Sequence, residues 1–397
     1  MVVVRAVIRS GFVVAALAAA ALVPAAAASS ASGVQLAAVP LPKSALGAAG
    51  HGLPLARDSG PVSNTEAADE ATGTVTAAQL NSLGRVGGYL VDYGNPFGSA
   101  SGIREIQTEV DRYRSASAAR RGLEFWRRDE VKTTELKKLG IGFTVRKLGL
   151  SGIPGRHWAY AGTATIKGLQ PVLGVDAQFQ QGSYLLEVSV SSGSSAGAAH
   201  LVPGLARKLS QRMRLALAGR LHARPVKLPP ALKPGPPGHG PKPAALVLAP
   251  GDLDGSTSVG HRGYTQPKNA LDPNALSVFD QVLTSSGTYP LLTQEVLVGG
   301  SSLEAQYFGA IAAGAVAAAA GSGTHVTPVT LGGVGDNARA ELVRIAHNGL
   351  TAYEAIVTMS HGSYLDLVVV GSNAGFTSAE VQSLAHLAAK RLDAGFR

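Results

Sequence analysis

One short stretch of this chain occurs twice, and its recurrence constrains the fold more than any other feature. Residues 182–190 are Gly-Ser-Tyr-Leu-Leu-Glu-Val-Ser-Val, and residues 362–370 are Gly-Ser-Tyr-Leu-Asp-Leu-Val-Val-Val. In each copy a glycine-containing turn precedes a run of apolar, strand-favouring residues, and a Gly/Ser loop and an amphipathic segment follow. The chain is therefore predicted to contain two copies of one domain.

Aligning the two copies resolves one ambiguous segment. The second copy has a clear strand over residues 294–298, which ends at a glycine pair. The aligned residues of the first copy, 106–113, carry many charges and would otherwise suggest a helix, but the alignment predicts a strand. A helix follows each strand, and Ser115 and Ser301 are the predicted N-caps.

The same alignment predicts the rest of each domain. Alternating residues and tight glycine turns favour antiparallel hairpins. The predicted fold class is α+β, with two homologous domains, each an antiparallel sheet with helices packed on one face, in the order β-α-β-β-β-β-α. The remaining strands are predicted at 143–148, 157–166, 175–180 and 183–191 in the first copy and at 325–331, 339–346, 351–359 and 363–370 in the second, with closing helices at 198–218 and 378–394.

The first 28 residues have the pattern of a secretory signal peptide. Arg5 and Arg9 form a positive start, residues 11–23 are apolar, and alanines at 26–28 suit cleavage. The apolar run of about 13 residues is shorter than the roughly 20 that span a bilayer, which favours cleavage over a retained anchor. The chain has no cysteine, so lipidation at a cysteine, disulfides and thiolate chemistry are excluded. A secreted or extracytoplasmic protein is predicted.

Composition divides the chain into five segments. Apolar residues make up 45% of it, enough for packed cores. A tract rich in Ala, Gly, Ser and Pro suggests a flexible spacer, and a second tract rich in Pro suggests a semi-rigid, unfolded linker. The predicted segments are a signal peptide (1–28), a flexible spacer (29–52), the first α+β repeat (53–222), a Pro-rich linker (223–244) and the second α+β repeat (245–397).

Charge is distributed unevenly between the copies. Residues 245–397 contain seven Lys/Arg and twelve Asp/Glu, a net charge of −5. Removing Arg5 and Arg9 from the total of +9 leaves +7, so residues 29–244 carry +12. This asymmetry is compatible with an anionic partner for the first domain, with attraction between the copies, or with an ordinary solvated basic face.

Two motif matches suggest catalysis or cofactor binding, and both have a simpler explanation. Residues 193–197 fit the nucleophile elbow G-x-S-x-G, with Ser195 as nucleophile, but the second copy has Asn373 there and the preceding strand is predicted to be antiparallel. Residues 333–338 fit a dinucleotide fingerprint, but a strand follows where that motif needs a helix. A loop and a turn between strands are predicted instead, so we expect no enzyme activity, with a serine hydrolase at Ser195 as the least favoured alternative.

Metal and cofactor sites find little support. The ten histidines show no metal-binding spacing. Asp252 and Asp254 resemble part of a calcium loop that lacks its later carboxylates, so a turn is predicted. No cofactor and no metal are expected.

The second copy also carries a family resemblance. Residues 334–338 (Val-Gly-Asp-Asn-Ala) form a Gly-Asp-x-Ala turn, and strands and the Gly362 hairpin follow. In these features the chain resembles extracytoplasmic sensor-type α+β domains of actinobacteria, found outside certain receptor kinases and in small envelope lipoproteins. The first copy departs from the turn, with Gly-Arg-His-Trp at 155–158. The resemblance implies ligand or envelope binding without catalysis, and it supplies no binding residues.

Two binding hypotheses follow. The leading one is a non-catalytic extracytoplasmic ligand-binding or sensor-like module, with an unknown small ligand in a cleft between helix and sheet. The alternative is a structural envelope protein whose basic first domain contacts an anionic component of the envelope, including a peripheral membrane surface. A nucleic-acid partner is not expected in an exported protein. The candidate ligand-binding residues are Phe125, Trp126, Tyr307 and Phe308, and the candidate anion-contacting residues are Arg120, Arg121, Arg127 and Arg128.

Overall fold

A computed structural model describes most of the chain after residue 33. The signal-peptide prediction lies outside the described residues. The chain divides into two compact units after Pro230, within the predicted linker. The described residues are 34–69, 75–94, 102–130, 141–166, 171–193, 195–222, 224–230, 233–266, 275–319, 324–334, 337–347 and 350–397.

The first domain is built on a seven-stranded sheet in the order β1-β2-β3-β7-β6-β5-β4, in which every neighbouring pair is antiparallel. Its strands are β1 (Gly60–Val62), β2 (Arg85–Gly94), β3 (Ile103–Tyr113), β4 (Ile141–Leu148), β5 (His157–Ile166), β6 (Val172–Gln181) and β7 (Tyr184–Ser192), and its α-helices are α1 (Asn64–Asp69), α2 (Ala77–Leu83), α3 (Ala116–Glu130) and α4 (Ser195–Leu217).

The second domain repeats this topology. Its sheet has the order β8-β9-β10-β14-β13-β12-β11, and every pair is again antiparallel. The two similar α+β domains and their antiparallel sheets are confirmed, with two additional strands before the predicted first strand of each. The elements are α5 (Pro243–Leu246), β8 (Thr257–Tyr264), β9 (Ser277–Ser285), β10 (Leu291–Val298), α6 (Ser302–Ala319), β11 (Thr324–Val329), β12 (Arg339–His347), β13 (Leu350–His361), β14 (Tyr364–Ser372) and α7 (Ser378–Gly395).

The repeated hairpins are turns, as predicted. Gly182 and Gly362 each have φ of 58°, in the left-handed region that favours glycine. The alignment of the copies is also confirmed. Val110 pairs with Leu186, and Val296 pairs with Asp366, and these partners stand at equal distances after the two glycines.

Side-chain caps begin the helices where the sequence placed them. The amide of Ala118 donates to Ser115 Oγ at 3.1 Å, and that of Glu304 donates to Ser301 Oγ at 3.1 Å. Thr377 is the N-cap of helix α7 and forms a capping box with Glu380, in which each side chain accepts a hydrogen bond from the other residue's amide. Both helices after the first predicted strand are therefore fixed by local sequence.

The two long helices of each domain lie on opposite faces of its sheet, which differs from the single helical face expected. In the first domain, α4 shares one apolar core with Val110, Leu186 and Val188. Helix α3 packs on the other face, since a Cβ at Gly122 would stand 2.5 Å from the Tyr113 ring. The same holds in the second domain, where the core under α7 contains Val357 and Val368, whereas α6 packs on Thr358.

Residues 34–52, expected to form a flexible spacer, belong to the first domain. Val39 and Leu41 are fully buried in its core. The Leu41 amide donates to Thr108 Oγ1 at 3.1 Å, and Arg212 on α4 donates from Nε to Val39 O at 2.8 Å and from Nη2 to Ala38 O. The small residues of this tract suggested flexibility. In the structure, the buried side chains of Val39 and Leu41 and the hydrogen bonds from Arg212 hold the tract in place.

The second domain begins in an equivalent way. Leu246 and Leu248 are fully buried, and the Leu248 amide donates to Gln294 Oε1 at 2.8 Å. Gln294 is the counterpart of Thr108 in the aligned strands. Arg391, the counterpart of Arg212, donates to both carboxylate oxygens of Asp252 at 2.6 Å. We call residues 36–41 and 243–248 the opening segments of the two domains.

The proline-rich stretch between the repeats has few regular elements, yet parts of it pack on the domains. Val226 packs partly against the first core. Ser277 Oγ donates to Gly235 O at 2.6 Å, and Tyr364 Oη donates to Pro241 O at 3.0 Å. In the described portion of the chain, no helix combines the length and apolar character needed to cross a membrane.

Candidate functional site

The layer around Trp126 is closely packed. Trp126 on α3 has 4% of its surface exposed, and its indole Nε1–H donates to Tyr113 Oη at 3.2 Å. Phe125 is half-buried and meets Trp126 edge to face, with ring centroids 5.4 Å apart. The cavity beside Trp126 has a volume of about 10 Å³, about enough for one water molecule. The ligand cleft expected between helix and sheet is therefore not open at these aromatic residues.

A buried ionic cluster lies beneath this layer. Arg85 Nη2 donates to Asp111 Oδ1 at 2.6 Å and lies 3.5 Å from Glu109 Oε1. Arg85 Nη1 also donates to Asn64 Oδ1 at 2.8 Å. Burial raises the pKa of Asp111 to about 6, although Arg85 opposes this effect. The cost of desolvating these charges offsets much of their attraction, so the cluster adds little net stability. We therefore assign to the cluster the role of positioning β2, β3 and α1 relative to one another.

The sequence carries a signal for this cluster, in the spacing of polar residues along β3. Glu105, Gln107, Glu109 and Asp111 occupy alternate positions of β3. Once the segment is predicted as a strand, that spacing places all four on one face. All four are buried.

Tyr307 and Phe308 of the second domain are likewise packing residues. Tyr307 is fully buried, and Phe308 is buried. Helix α6 approaches the sheet closely, because Thr358 Oγ1 donates to Gly309 O at 2.9 Å. A Cβ at Gly309 would stand 3.0 Å from Leu365 Cδ1. The structure therefore places the four predicted ligand-binding aromatics in two helix–sheet layers and does not bring them together.

The four predicted anion-contacting arginines are exposed on α3. Arg127 pairs with Glu124 at 3.0 Å, and both side chains are more than a third exposed. Arg156, from the turn before β5, lies 4.0 Å from the same carboxylate. The outer face of α3 is therefore a solvent-facing basic surface, formed by Arg120, Arg121, Arg127 and Arg128 and partly neutralised by Glu124.

An open groove with a volume of about 610 Å³ lies in the second domain, between the sheet and the start of α7. Its floor is a row of cross-strand neighbours, since His325 pairs with Arg344, and Arg344 pairs with Tyr353. Paired residues on adjacent strands share a face of the sheet. Leu342 continues the floor, and Phe376 and Glu380 form the wall. We call this the β12–α7 groove.

The charges of the β12–α7 groove are unequal. Arg344 is exposed and forms no ion pair with any residue that the structure describes. The Glu380 carboxylate accepts hydrogen bonds from the Thr377 amide at 2.7 Å and from Thr377 Oγ1 at 2.8 Å. These bonds hold the pKa of Glu380 below its usual range. The groove therefore presents an uncommitted guanidinium beside a carboxylate that is engaged in capping α7.

Sequence reasoning missed this groove. Its residues come from three strands and a helix start, and no ligand-binding motif in the sequence connects them. A register prediction for β11, β12 and β13 would have been needed to place His325, Arg344 and Tyr353 in one row.

A second cavity, of about 450 Å³, lies in the first domain between residues 34–38 and the end of α4. Val34, Ala38, Tyr184, Leu217 and Leu221 contribute to its lining, which includes no charged side chain. Gln35 and Tyr184 have the only polar side chains among the described residues of its lining, so few side-chain groups could orient a ligand there.

The other sequence motifs occupy structural positions. Ser195 is the first residue of α4, and β7 before it is antiparallel to both neighbours. Asp254 accepts from Thr288 Oγ1 at 2.6 Å, and Asp252 binds Arg391, so both carboxylates of the calcium-like sequence have protein donors. Part of the Gly-Asp-x-Ala turn, at residues 335 and 336, lies outside the described residues. Among the residues described, no group of three or more His, Asp or Glu side chains is arranged to hold a metal ion.

No protein-family model matches the chain, and no curated protein matches it at a significant level. Among solved structures, the extracellular domain of PknH from Mycobacterium tuberculosis matches with a TM-score of 0.29 and 13% identity, over 44% of this chain and 95% of that one. The di-domain ARO/CYC BexL from the BE-7585A biosynthetic pathway matches with a TM-score of 0.14 and 9% identity, over 64% of this chain and 79% of that one. The chain thus bears a weak structural resemblance to an extracellular domain, and neither match carries an argument about activity.

Proposed function

We propose that this protein is an extracytoplasmic ligand-binding module whose second domain holds a small molecule in the β12–α7 groove. The groove volume of about 610 Å³ carries the proposal, because small-molecule sites typically enclose about 300–1,000 Å³. The groove also combines aromatic and aliphatic side chains with a few polar groups, which is the usual composition of such sites. The signal pattern of residues 1–28 supports the location.

The first repeat supports the proposal by contrast. Counted back from the hairpin glycines, Tyr353 corresponds to Leu173, and their sheet partners Arg344 and Thr163 therefore correspond as well. The partner of Thr163 on β4 is Thr144, which corresponds to His325. The fold is thus built with Thr, Thr and Leu where the groove has His, Arg and Tyr. The groove side chains are not required by the architecture, which favours a role in binding.

The proposal includes no catalytic step. A nucleophile elbow requires a parallel α/β sheet, and β7 is antiparallel to both of its neighbours. Asn373, beside the start of α7, replaces the serine in the second repeat. A serine hydrolase at Ser195 remains the less favoured alternative, which Ser195→Ala would test through loss of any hydrolytic activity found.

Ligand-observed NMR with a fragment library tests the groove in the full mature chain. Ala374 is exposed and lines the groove, so Ala374→Trp should fill it without disturbing a core. Asn373 is exposed and is not part of the lining, so Asn373→Trp is the matched control. We expect fragments that bind wild type and Asn373→Trp but not Ala374→Trp. Fragments that bind all three proteins equally would place ligand recognition outside the groove. A library in which no fragment binds wild type would also contradict the proposal.

A second candidate function rests on the exposed arginines of α3. Arg120, Arg121, Arg127 and Arg128 form a basic surface on the domain that carries the positive charge of the chain. Such a surface fits contact with an anionic component of the cell envelope. The affinity of this surface for an anionic component would fall steeply as the salt concentration rises, whereas the affinity of the groove for a neutral fragment would not.

A further inference from the structure

We propose that the β12–α7 groove recognises an organic anion with an aromatic or acyl body, and that Arg344 binds the anionic group. This inference rests on the proposed function and specifies the class of ligand for the same site. It follows from the charges of the groove, from its apolar surface and from the order of the side chains across three strands.

The anion-binding end is the row His325, Arg344 and Tyr353. Arg344 is central in this row, because its strand lies between the strands of its two partners. Its guanidinium is exposed and has no ion-pair partner among the residues described. A planar guanidinium presents paired N–H donors that match a carboxylate or sulfonate. A free arginine on the floor of a groove is therefore suited to bind such a group.

The one carboxylate in the lining does not neutralise Arg344 directly. Glu380 Oε2 accepts both hydrogen bonds from Thr377, at 2.7 and 2.8 Å, so this oxygen is directed to the first turn of α7. The remaining polar lining, Thr327 and Thr377, is uncharged. The groove is therefore more favourable to an anion than to a cation.

The apolar end lies beside this row. Leu342 pairs with Ala355, which belongs to the core under α7. Phe376 is half-buried and packs against the same core. The Tyr353 ring lies 3.6 Å from where a Cβ of Gly375 would stand, so the ring is held against the backbone before α7. A flat or extended apolar body can lie on these side chains while its charged end reaches Arg344.

Binding of 2-naphthoate and of its neutral analogue 2-naphthamide, measured by isothermal titration calorimetry on the full mature chain, tests this inference. The two probes share their ring system and differ in charge. We expect wild type to bind the naphthoate about 10-fold more tightly, which corresponds to about 1.4 kcal/mol. Arg344→Gln should remove this preference. Lys390→Gln, which removes one positive charge from an exposed position of α7, should retain it.

Equal affinity of the two probes for wild type, or a preference that persists in Arg344→Gln, would overturn the assignment of an anion. Failure of the naphthoate to bind wild type at millimolar concentration would overturn it as well. The fragment experiment with Ala374→Trp separates these failures from failure of the proposed function. Fragments excluded by Ala374→Trp without a preference for anions would leave the groove as a ligand site and remove only the ligand class.

Discussion

At the scale of single residues, Asp366 shows what burial does to a carboxyl group. It is fully buried on β14, and the Nε2 amide of Gln294 donates to its Oδ1 at 2.9 Å and to its Oδ2 at 3.0 Å. Burial raises the pKa of Asp366 to about 7, although the Gln294 hydrogen bond opposes this effect. The folded protein therefore retains a proton that the unfolded chain releases near pH 4.

The raised pKa of Asp366 fixes the direction in which the free energy of unfolding changes with pH. The stabilisation from Asp366 is complete below the unfolded pKa and is lost as pH rises toward about 7. We expect Asp366→Asn to remove this loss and to raise the free energy of unfolding at pH 8 by about 2–4 kcal/mol. Urea unfolding of the full chain, followed by circular dichroism at pH 5 and pH 8, measures the difference.

Asp393→Asn serves as control for this experiment; its 3.8 Å pair with His361 is about half exposed, so we expect it to change the pH dependence much less than Asp366→Asn does. Both tryptophans of the chain, Trp126 and Trp158, lie in the first domain, so fluorescence reports that domain separately. A fall in stability between pH 5 and pH 8 that is the same in wild type and Asp366→Asn would show that Asp366 is not its source.

At the scale of elements, the opening segments are integral parts of their domains. Leu41 is fully buried, and Leu→Ala substitutions in cores cost about 2–5 kcal/mol. We therefore expect Leu41→Ala to destabilise the first domain by that amount. Urea unfolding followed by tryptophan fluorescence checks the prediction.

Gln35→Ala is the matched control, because Gln35 is exposed in the same stretch. A flexible spacer would tolerate both substitutions equally. Unfolding midpoints that agree for Leu41→Ala, Gln35→Ala and wild type would therefore contradict the packing of this segment.

The elements that the sequence predicted are those with local signals. Gly182 and Gly362 fixed the hairpins, and Ser115 and Ser301 fixed the starts of two helices. The strand at Ile103–Tyr113 was found because a second copy supplied a comparison. Local pattern defines which side of a helix is apolar, but it does not say on which face of a distant sheet that helix packs. The opposite placement of α3 and α4 could not be predicted for that reason.

The opening segment and the β12–α7 groove were not predicted, because both depend on contacts between residues that are far apart in the sequence. The opening segment at 36–41 has the composition of a linker, and its burial depends on Thr108 and on α4. The groove depends on the register of three strands, which brings His325, Arg344 and Tyr353 into one row. Trp126, Tyr307 and Phe308, three of the aromatic residues predicted to bind a ligand, are buried for a simpler reason, because the helix–sheet layers bury large side chains that are mostly apolar.

At the scale of the whole molecule, the two domains share one topology but differ in the side chains between the sheet and its first long helix. Beneath α3, the first domain has Asp111 and Glu187, and the aligned positions beneath α6 in the second domain are Leu297 and Leu367. The outer surface differs too, because α3 carries four exposed arginines whereas α6 is rich in alanine. The repeats therefore share their architecture and differ in the surfaces that could contact partners.

The charge asymmetry leads to a prediction for the whole chain. We expect the protein to co-sediment with phosphatidylglycerol vesicles at low salt but not with phosphatidylcholine vesicles, because the exposed arginines of α3 favour anionic surfaces. Replacing Arg120, Arg121, Arg127 and Arg128 with Gln should reduce the bound fraction several-fold.

The control for this experiment replaces four exposed basic residues elsewhere in the first domain with Gln, at Arg146, Lys147, Arg214 and Arg220. It produces the same change in net charge. Equal loss of binding in both variants would indicate a response to total charge, and it would contradict a specific contact through α3.

The arginine that holds the first opening segment also determines when that domain can be completed. Arg212 and Val39 are 173 residues apart in the chain, so the segment leaves the ribosome long before its packing partner on α4 has been made. Contacts between such distant residues slow folding. The first domain consequently cannot reach its native packing until almost all of it has been synthesised, and the chain stays incompletely folded throughout that interval.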